Sequence, residues 1–427
     1  MLDSILYFTR KLIPGPVFRF FQPAYHSFLA FLSALWYRFP SRHIKVIAVT
    51  GTKGKSSTTE IVNAILEEAG YKTALSNTIR FKIGTKSREN LYKMSMPGRF
   101  FIQRFLRRAV QAGCQYVIME ATSQGALFKR HAFISFDALI FTNIAPEHIE
   151  AHGSFENYVQ AKLSIAKAVA NSSKGAIFVG NTDDVQYPRF AALPWKVIRP
   201  YSLSDGKPYN IFREGLAFTY EGNLIRSPLS GEFNLANILA AITFARTQDV
   251  SVDMCQKAIE NFSMIPGRVQ KIDEGQDFTV VVDYAHTPDS LQKLYDLYRG
   301  TRKIAVLGNT GGGRDTWKRD EMARIAETEC DEIILTNEDP YDDDPMKIVT
   351  DMAGAMKEKK PHIVMDRREA IRFAFSLARP GDSVLITGKG TDPYIMGPDN
   401  SRIPWSDAEV TREELRRLTT SYDSATV

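Results

Sequence analysis

The stretch "VIAVTGTKGKSSTTEIV", Val46 to Val62, sets a β-branched apolar run against a lysine and a cluster of hydroxyls. The run is short and apolar throughout, which predicts a buried strand. "STTEIVNAILEEAG" then has helical periodicity, with Gly70 as its stop. A strand that ends in glycine and opens a helix presents backbone N–H groups to an anion. The usual phosphate loop, G-x-x-x-x-G-K-[ST], needs a glycine where this chain has Val49. Gly51, Thr52, Lys53, Gly54, Lys55, Ser56 and Ser57 keep the physical content in a shorter loop. Glycines admit phosphate oxygens, Lys55 reaches the β and γ phosphates, and Ser56 or Ser57 can hold Mg²⁺. The plain alternative is a glycine-rich strand-to-helix turn. It leaves the lysine and the hydroxyls at the helix mouth without a purpose.

Outward from this loop the chain alternates between strand and helix. "FFIQRFLRRAVQAG" reads as a helix, "YVIMEAT" and "DALIFTNI" as strands, and Phe155 to Ala170 as a helix. This alternation predicts an α/β fold built on a parallel sheet with helices on both faces. "SMIPGR", Ser263 to Arg268, carries Pro and Gly between two periodic regions and marks a domain joint. Beyond it "FTVVVDYA", "RKIAVLGNTGGG", "EIILTNEDP" and "SVLITGKG" resume the pattern, and "TTSYDSATV" closes the chain as a frayed end. The expected organisation is a hydrophobic helical segment at 1–42, a P-loop-type ATPase domain at 43–265 and a Rossmann-like domain at 266–427.

The chain has 427 residues, enough for two or three domains, and a net charge of only +5. That charge gives no support to nucleic-acid binding. Cys114, Cys255 and Cys330 are scattered, with no C-x-x-C pair. Neither a disulfide framework nor a zinc ribbon is expected, and a reducing cytoplasm suits such a chain.

The first forty residues differ. "FRFFQPAYHSFLAFLSALWYRFP" is dense in aromatic and aliphatic side chains, with Arg19, Arg38 and Arg42 near its ends. Its apolar run is shorter than the roughly 20 residues of a membrane-spanning helix. Aromatic and basic residues follow the run where a signal peptide has small ones. Two readings remain: a helix in the interface of the inner face of the cell membrane, or one packed on the protein body. Pro14, Pro16 and Pro23 interrupt any longer amphipathic helix and favour packing.

The shortened loop resembles G-T-x-G-K-[ST] of the Mur ligases and folylpolyglutamate synthetases. "MEATSQGALFKRHAFISFDALIFTNIAPEHIEAHGSFENYVQAKLSIAK", "GEFNLANILAA", "IPGRVQKID", "VVDYAHTPDSL", "GGGRDTWKRDEM", "NEDPYDDDP", "GKGTDPY" and "SDAEV" follow in Mur ligase order, from about residue 44 to 415. Within the family the motifs are most similar to those of enzymes adding the third amino acid to a UDP-N-acetylmuramoyl dipeptide. The resemblance implies an ATP- and Mg²⁺-dependent ligase of peptidoglycan biosynthesis. Such an enzyme activates a carboxylate as an acyl phosphate and joins it to an amine. It implies small-molecule substrates, a muramoyl-peptide acceptor and an amino acid, and a monomer in the cytoplasm.

Residue roles follow from the same match. Charge neutralisation and positioning dominate phosphoryl transfer, and Lys55 supplies the fixed cation. Glu120 ends the strand "YVIM", where open α/β sheets place ligands, and is the first Mg²⁺ ligand expected. The resemblance makes His148 a ligand of a second metal. It makes Lys162 a carbamylated lysine whose oxygens serve that metal, where the plain reading is a helical lysine facing solvent. Asn143, at a strand end, would join the metal shell. Asn234 and Asn237, three apart on one helix, would approach the nucleotide, unless Asn234 only caps the helix. Arg268, Asp283, Tyr284 and His286 would join them when the C-terminal domain closes, and Arg314 would face substrate or phosphates. Ser95, Met96 and Pro97 stand where Thr-Thr-Pro commonly holds the muramoyl substrate.

The match also departs from the pattern. About 47 residues precede the loop, too few for the family's UDP-binding domain, which leaves a lipid-linked acceptor open. The D-N-P-R of diaminopimelate-adding enzymes is Glu338-Asp339-Pro340-Tyr341 here, so no arginine pairs with a substrate carboxylate. Asp339, Tyr341, Gly388 and Asp392 are the expected amino-acid contacts, and Gln124 replaces a family histidine. The acidic run Asp342 to Asp344 reads as a solvated loop rather than a lysine selector. Competing readings are a folate-type ligase and a membrane-associated nucleotide-binding protein without ligase activity.

Overall fold

The computed structural model describes residues 15–147, 149–314 and 316–425. These residues form two compact units, each taken by itself below. One holds the described residues up to Ala145 with Phe155–Ser202 and Leu239–Cys255. The other holds the described residues of Pro146–Ser154, Leu203–Ile238 and Gln256 onward.

The first unit is built on eight strands: β1 (Lys45–Thr50), β2 (Thr73–Ser76), β3 (Arg80–Ile83), β4 (Lys86–Glu89), β5 (Tyr116–Glu120), β6 (Ala138–Phe141), β7 (Ile177–Asn181) and β8 (Val197–Tyr201). Their order across the sheet is β4-β3-β2-β5-β1-β6-β7-β8. β1 lies between β5 and β6 and is parallel to both. Val46 to Thr50 are buried on both faces of the sheet, as the continuous apolar run predicts. The sheet is not parallel throughout, since β3 and β4 run antiparallel at one edge. β4 is the polar run "KSRE", exposed at every residue, which suits an edge strand.

Residues Gly15–Trp36 form one helix, α1, with Pro23 inside it. The interruption expected at that proline does not occur. Residues after it pack on the body, with Ala30, Ser33 and Ala34 buried and α1 lying against the helix Arg99–Gln111. Tertiary contact outweighs the lost backbone N–H. Among the described residues, no helix is long and apolar enough to cross a membrane.

The second unit holds a small antiparallel sheet, β9 (Tyr209–Phe212), β10 (Gly215–Tyr220) and β11 (Asn223–Ser227), which the strand–helix alternation does not predict. Its main sheet contains β12 (Gln270–Ile272), β13 (Thr279–Val282), β14 (Lys303–Leu307), β15 (Glu332–Leu335), β16 (His362–Ile363) and β17 (Ser383–Ile386). The order is β12-β13-β17-β14-β15-β16, parallel except for β12. Val281, Ala305, Leu307, Ile333 and Leu335 feed one apolar cluster. Val280, Val282, Ile304, Val306 and Ile334 feed the other. Alternate residues of each strand thus serve opposite layers of helices.

Asp407 begins the last helix, Asp407–Ala425, so the expected frayed end is helical through Ala425. A fully buried ion pair anchors it: Arg367 Nε and Nη2 donate to the two Asp407 oxygens at 2.8 and 2.7 Å. Removing one member leaves a buried charge unpaired. Arg367→Ala is expected to lower the stability of the folded chain by roughly 3–5 kcal/mol in urea unfolding. A loss below about 1 kcal/mol, the scale of an exposed pair, would contradict that role.

Candidate active site

The loop between β1 and the helix α2 (Lys55–Glu68) is held by the neighbouring strand end. The Thr52 N–H donates to the Asn143 carbonyl at 2.7 Å. The Lys53 N–H donates to Asn143 Oδ1 at 2.9 Å, and the Lys53 carbonyl accepts from Thr142 Oγ1 at 2.7 Å. The Asn143 amide NH₂ also reaches that carbonyl at 3.3 Å. Asn143, expected near the metal, is engaged in gripping the loop.

Two lysines converge on one oxygen. Lys55 Nζ donates to the Gly51 carbonyl at 2.9 Å and to the Thr52 carbonyl at 2.7 Å. Lys162 Nζ, buried on the helix Phe155–Ala170, donates to the same Gly51 carbonyl at 2.6 Å. The solvent-facing reading of Lys162 is therefore excluded. Its ammonium lies 4.7 Å from the centre of the Tyr158 ring, and the Tyr158 hydroxyl is 2.9 Å from Thr52 Oγ1. Charged donors at the mouth of a glycine loop and at a helix N-terminus make an anion site.

Beside it lies a buried carboxylate. Glu120 ends β5 with no exposed surface. Its Oε1 accepts from Ser56 Oγ at 2.5 Å and from the Thr78 N–H at 2.9 Å, and its Oε2 accepts from Thr78 Oγ1 at 2.9 Å. Thr78 Oγ1 is also 2.6 Å from Ser95 Oγ. A single hydroxyl therefore joins the carboxylate to the loop Ser95-Met96-Pro97. That loop is fixed by Met96, whose carbonyl accepts from Arg130 and whose sulfur accepts from the Thr122 N–H at 3.4 Å. Gln124 is exposed on the short helix Ser123–Leu127. Ser57 is buried in the first turn of α2. These groups are oxygen donors of the kind a hard divalent cation takes, one carboxylate with a hydroxyl, the rest supplied by phosphate and water. His148 lies outside the described residues.

The second unit gathers another set. Asn234 and Asn237 are buried on the helix Glu232–Arg246. Asn234 is its third residue, with Nδ2 donating back to the Ser230 carbonyl at 2.7 Å, so it is not the cap residue. Asn237 Nδ2 donates to Asn234 Oδ1 at 3.3 Å. Asp283 pins two backbone N–H groups, those of Val269 and Ala285, each at 2.6 Å. The Arg268 guanidinium stacks 4.3 Å over the Tyr284 ring. His286 Nδ1 lies 2.6 Å from the Tyr284 carbonyl, and its Nε2 lies 3.2 Å from Glu147 Oε1. The negative charge of Asp392, then burial, holds the Tyr284 hydroxyl well above its usual range.

Lys389 is fully buried in a carboxylate cage. Its Nζ donates to Asp339 Oδ1 at 2.7 Å and to the Tyr394 carbonyl at 2.6 Å, with Asp392 Oδ2 at 3.6 Å. Glu338 Oε2 is buried without a hydrogen-bond partner, and burial followed by the charge of Asp339 pushes its carboxyl up. A side chain at Gly388 would place its Cβ 2.3 Å from that oxygen. Arg314 is exposed, its guanidinium 4.6 Å over the Tyr341 ring. The acidic run is used in loop construction. Asp342 accepts from the Asp399 N–H at 2.8 Å, Asp343 from the Gly312 N–H at 3.0 Å, and Asp344 caps the helix Pro345–Ala355.

Residues 49–245 match the Mur ligase middle domain, and residues 267–390 match the Mur ligase, glutamate ligase domain. The chain is 35% identical over 408 residues to the UDP-N-acetylmuramoyl-L-alanyl-D-glutamate–2,6-diaminopimelate ligase of Syntrophomonas wolfei, covering 92% of this chain and 83% of that protein. It is 35% identical over 435 residues to the UDP-N-acetylmuramyl-tripeptide synthetase of Roseiflexus sp., covering 95% and 85%. The chain belongs to the Mur ligase family. A solved UDP-N-acetylmuramoyl-L-alanyl-D-glutamate–2,6-diaminopimelate ligase shares its fold, with a TM-score of 0.59 and 25% identity over 88% of this chain and 79% of that one.

In this Mur ligase the first unit brings Gly51 to Ser57, Glu120, Lys162 and Ser95 to Pro97 into one connected network. The second unit brings Arg268, Asp283, Tyr284 and His286 together, and Asp339 with Asp392 through Lys389. Thr78, Tyr158, Thr142, Glu147 and Lys389 were not singled out from sequence, and Glu338 only as part of the motif Glu338-Asp339-Pro340-Tyr341. Lys389 sits inside the quoted "GKG" and Glu147 inside "PEH", but Thr78 carries no local signal at all.

Gly51 tests the loop. A Cβ there would stand 1.9 Å from Thr142 Oγ1 and 3.0 Å from the Asn143 carbonyl. At Gly70, also of positive φ, a Cβ meets nothing within 4 Å. Gly70→Ala is expected to cost only left-handed strain, about 1–2 kcal/mol. Gly51→Ala should cost roughly 1–3 kcal/mol more through overpacking, read by urea unfolding of both variants. Equal losses would mean that the loop is not tightly fitted to the strand end.

Proposed function

We propose that the chain is an ATP-dependent amide ligase. It phosphorylates a carboxylate of a muramoyl-peptide acceptor and joins that carboxylate to the amine of an amino acid. The observation that carries this reading is the meeting of Lys55 and Lys162 at the Gly51 carbonyl, beside the buried Ser56–Glu120 pair. The names of the two relatives supply the substrate class.

In this reading the first unit is a P-loop-type domain and the second a Rossmann-like one, with the functional division of the chain at 265/266. The loop Gly51–Ser57 cradles the β and γ phosphates through backbone N–H groups and Lys55. Ser56 and Glu120 would hold Mg²⁺, which would draw off phosphate charge, and His148 would serve a second ion. Lys162 carries a carbamate, which removes a cation from the crowded Gly51 carbonyl and adds oxygen ligands. A carbamate retains one N–H, so the bond to Gly51 survives. Asn234, Asn237, Arg268, Asp283, Tyr284 and His286 contact the nucleotide. Ser95, Met96 and Pro97 hold the acceptor, whose carboxylate attacks the γ phosphorus as ADP leaves. Arg314 faces the acyl phosphate. Asp339, Tyr341, Gly388 and Asp392 orient the amino acid. Its amine attacks the acyl carbon and loses a proton, and phosphate departs.

Lys55→Ala is expected to abolish ligation while leaving the unfolding midpoint unchanged, because the work of this lysine is local and electrostatic. The assay crosses amino acids with UDP-linked and lipid-linked muramoyl dipeptides and follows ADP. Formation of ADP should require both an amino acid and an acceptor. Nucleotide binding with no ligation for any pair would support the non-ligase reading instead.

Lys162→Ala should be nearly inactive and regain turnover with added short carboxylates, which replace carbamate oxygens. Full activity in the unsupplemented variant would remove the carbamate from the account.

A further inference from the structure

Among the described residues, the outer face of α1 from Tyr25 to Trp36 is apolar and exposed. Tyr25, Phe28, Leu32, Leu35 and Trp36 follow the three- and four-residue steps of a single helical stripe, and all are exposed. Phe28 is 61% and Trp36 73% exposed, whereas Ala30, Ser33 and Ala34 on the inner side are buried. Phe31 borders the stripe, and its ring lies 5.4 Å from that of Phe133, which is exposed as well. Aromatic and aliphatic groups of this size seldom face water in a connected patch unless something else covers them.

The charge around the patch says what covers it. α1 packs against the helix Arg99–Gln111 and against Phe128 and Phe133. The segments 15–43, 91–119 and 121–136, which hold these elements, contain ten Lys and Arg residues and no Asp or Glu. The whole chain has a net charge of only +5, so the imbalance is local. Cations stack on aromatic rings beside the patch at two places. The Arg42 guanidinium lies 4.6 Å over Phe39, whose ring is 6.2 Å from Phe31. The Arg130 guanidinium lies 5.3 Å over Phe128, whose ring is 5.4 Å from His26. A second copy of this chain would bring the same positive charge against itself and be repelled. An anionic bilayer offers phosphate to the guanidinium groups and a headgroup boundary to the rings.

We propose that the outer face of α1, from Tyr25 to Trp36, docks this enzyme peripherally on an anionic lipid surface. The aromatic stripe enters the headgroup boundary, and Arg38, Arg42 and the arginines of the adjoining helix meet lipid phosphate. This inference does not depend on which acceptor is used, and it stands or falls apart from the ligase reading.

Co-sedimentation of the full chain with vesicles tests it, using phosphatidylglycerol mixed with phosphatidylcholine against phosphatidylcholine alone. The full chain is expected to pellet with the anionic vesicles only, with affinity falling about tenfold or more between 0.1 and 0.5 M NaCl. Leu32→Glu combined with Trp36→Ser should weaken binding at least about tenfold with an unchanged unfolding midpoint, since both positions face solvent. The wild-type arm needs no variant to fold. Absence of binding at low salt, or equal salt-insensitive binding to both vesicles, would overturn the proposal. So would a concentration-dependent dimer of the unbound chain that the double variant abolishes.

Discussion

The Gly51 carbonyl is the point on which the first unit turns. It directly follows the strand β1 and accepts from Lys55 and Lys162 together. It is fixed there because Thr142 and Asn143, at the end of the adjacent strand, leave no room for a side chain at Gly51 and bind the next two residues of the loop. Two ammonium groups on one oxygen repel each other. A bound phosphate, or conversion of one amine to a carbamate, would relieve that repulsion. The neighbouring strand end thus grips the loop at both Thr52 and Lys53.

From that point the site extends through hydroxyls rather than through a cage of carboxylates. Ser56 leads to Glu120, Glu120 to Thr78, and Thr78 to Ser95. Among the described residues no group of three or more His, Cys, Asp or Glu side chains is placed to hold a metal ion. A single buried carboxylate with a serine suits a magnesium ion that keeps phosphate and water in its shell. In the second unit the buried Lys389, with Asp339 and Asp392 around it, does the corresponding work of holding loops in place.

Much of this was legible in the sequence because local signals and tertiary roles coincide. The apolar run of β1, the glycines after it and the helical period of α2 give the loop directly. The second main sheet was readable from four apolar runs. The small sheet β9–β11 was not, since its strands are half polar and packed on one side only, and periodicity is weak there. The sequence names Lys162 and Asn143 as site residues but not what they touch. Burial against Gly51 and a bidentate grip on Lys53 are long-range facts that no short window contains. Thr78 is invisible for the same reason, because a lone threonine gains meaning only when folding brings it to Glu120. Pro23 pointed away from a continuous α1, and packing of the later turns overrode it.

The central claim is that the loop delivers a γ phosphoryl group directly to a carboxylate. The direct measurement is ligation of a muramoyl-peptide acceptor carrying ¹⁸O in the reacting carboxylate, followed by mass spectrometry of the products. Direct phosphoryl transfer predicts that one ¹⁸O leaves the acceptor and appears in inorganic phosphate, with ADP unlabelled. Unlabelled phosphate, or label in AMP, would contradict it.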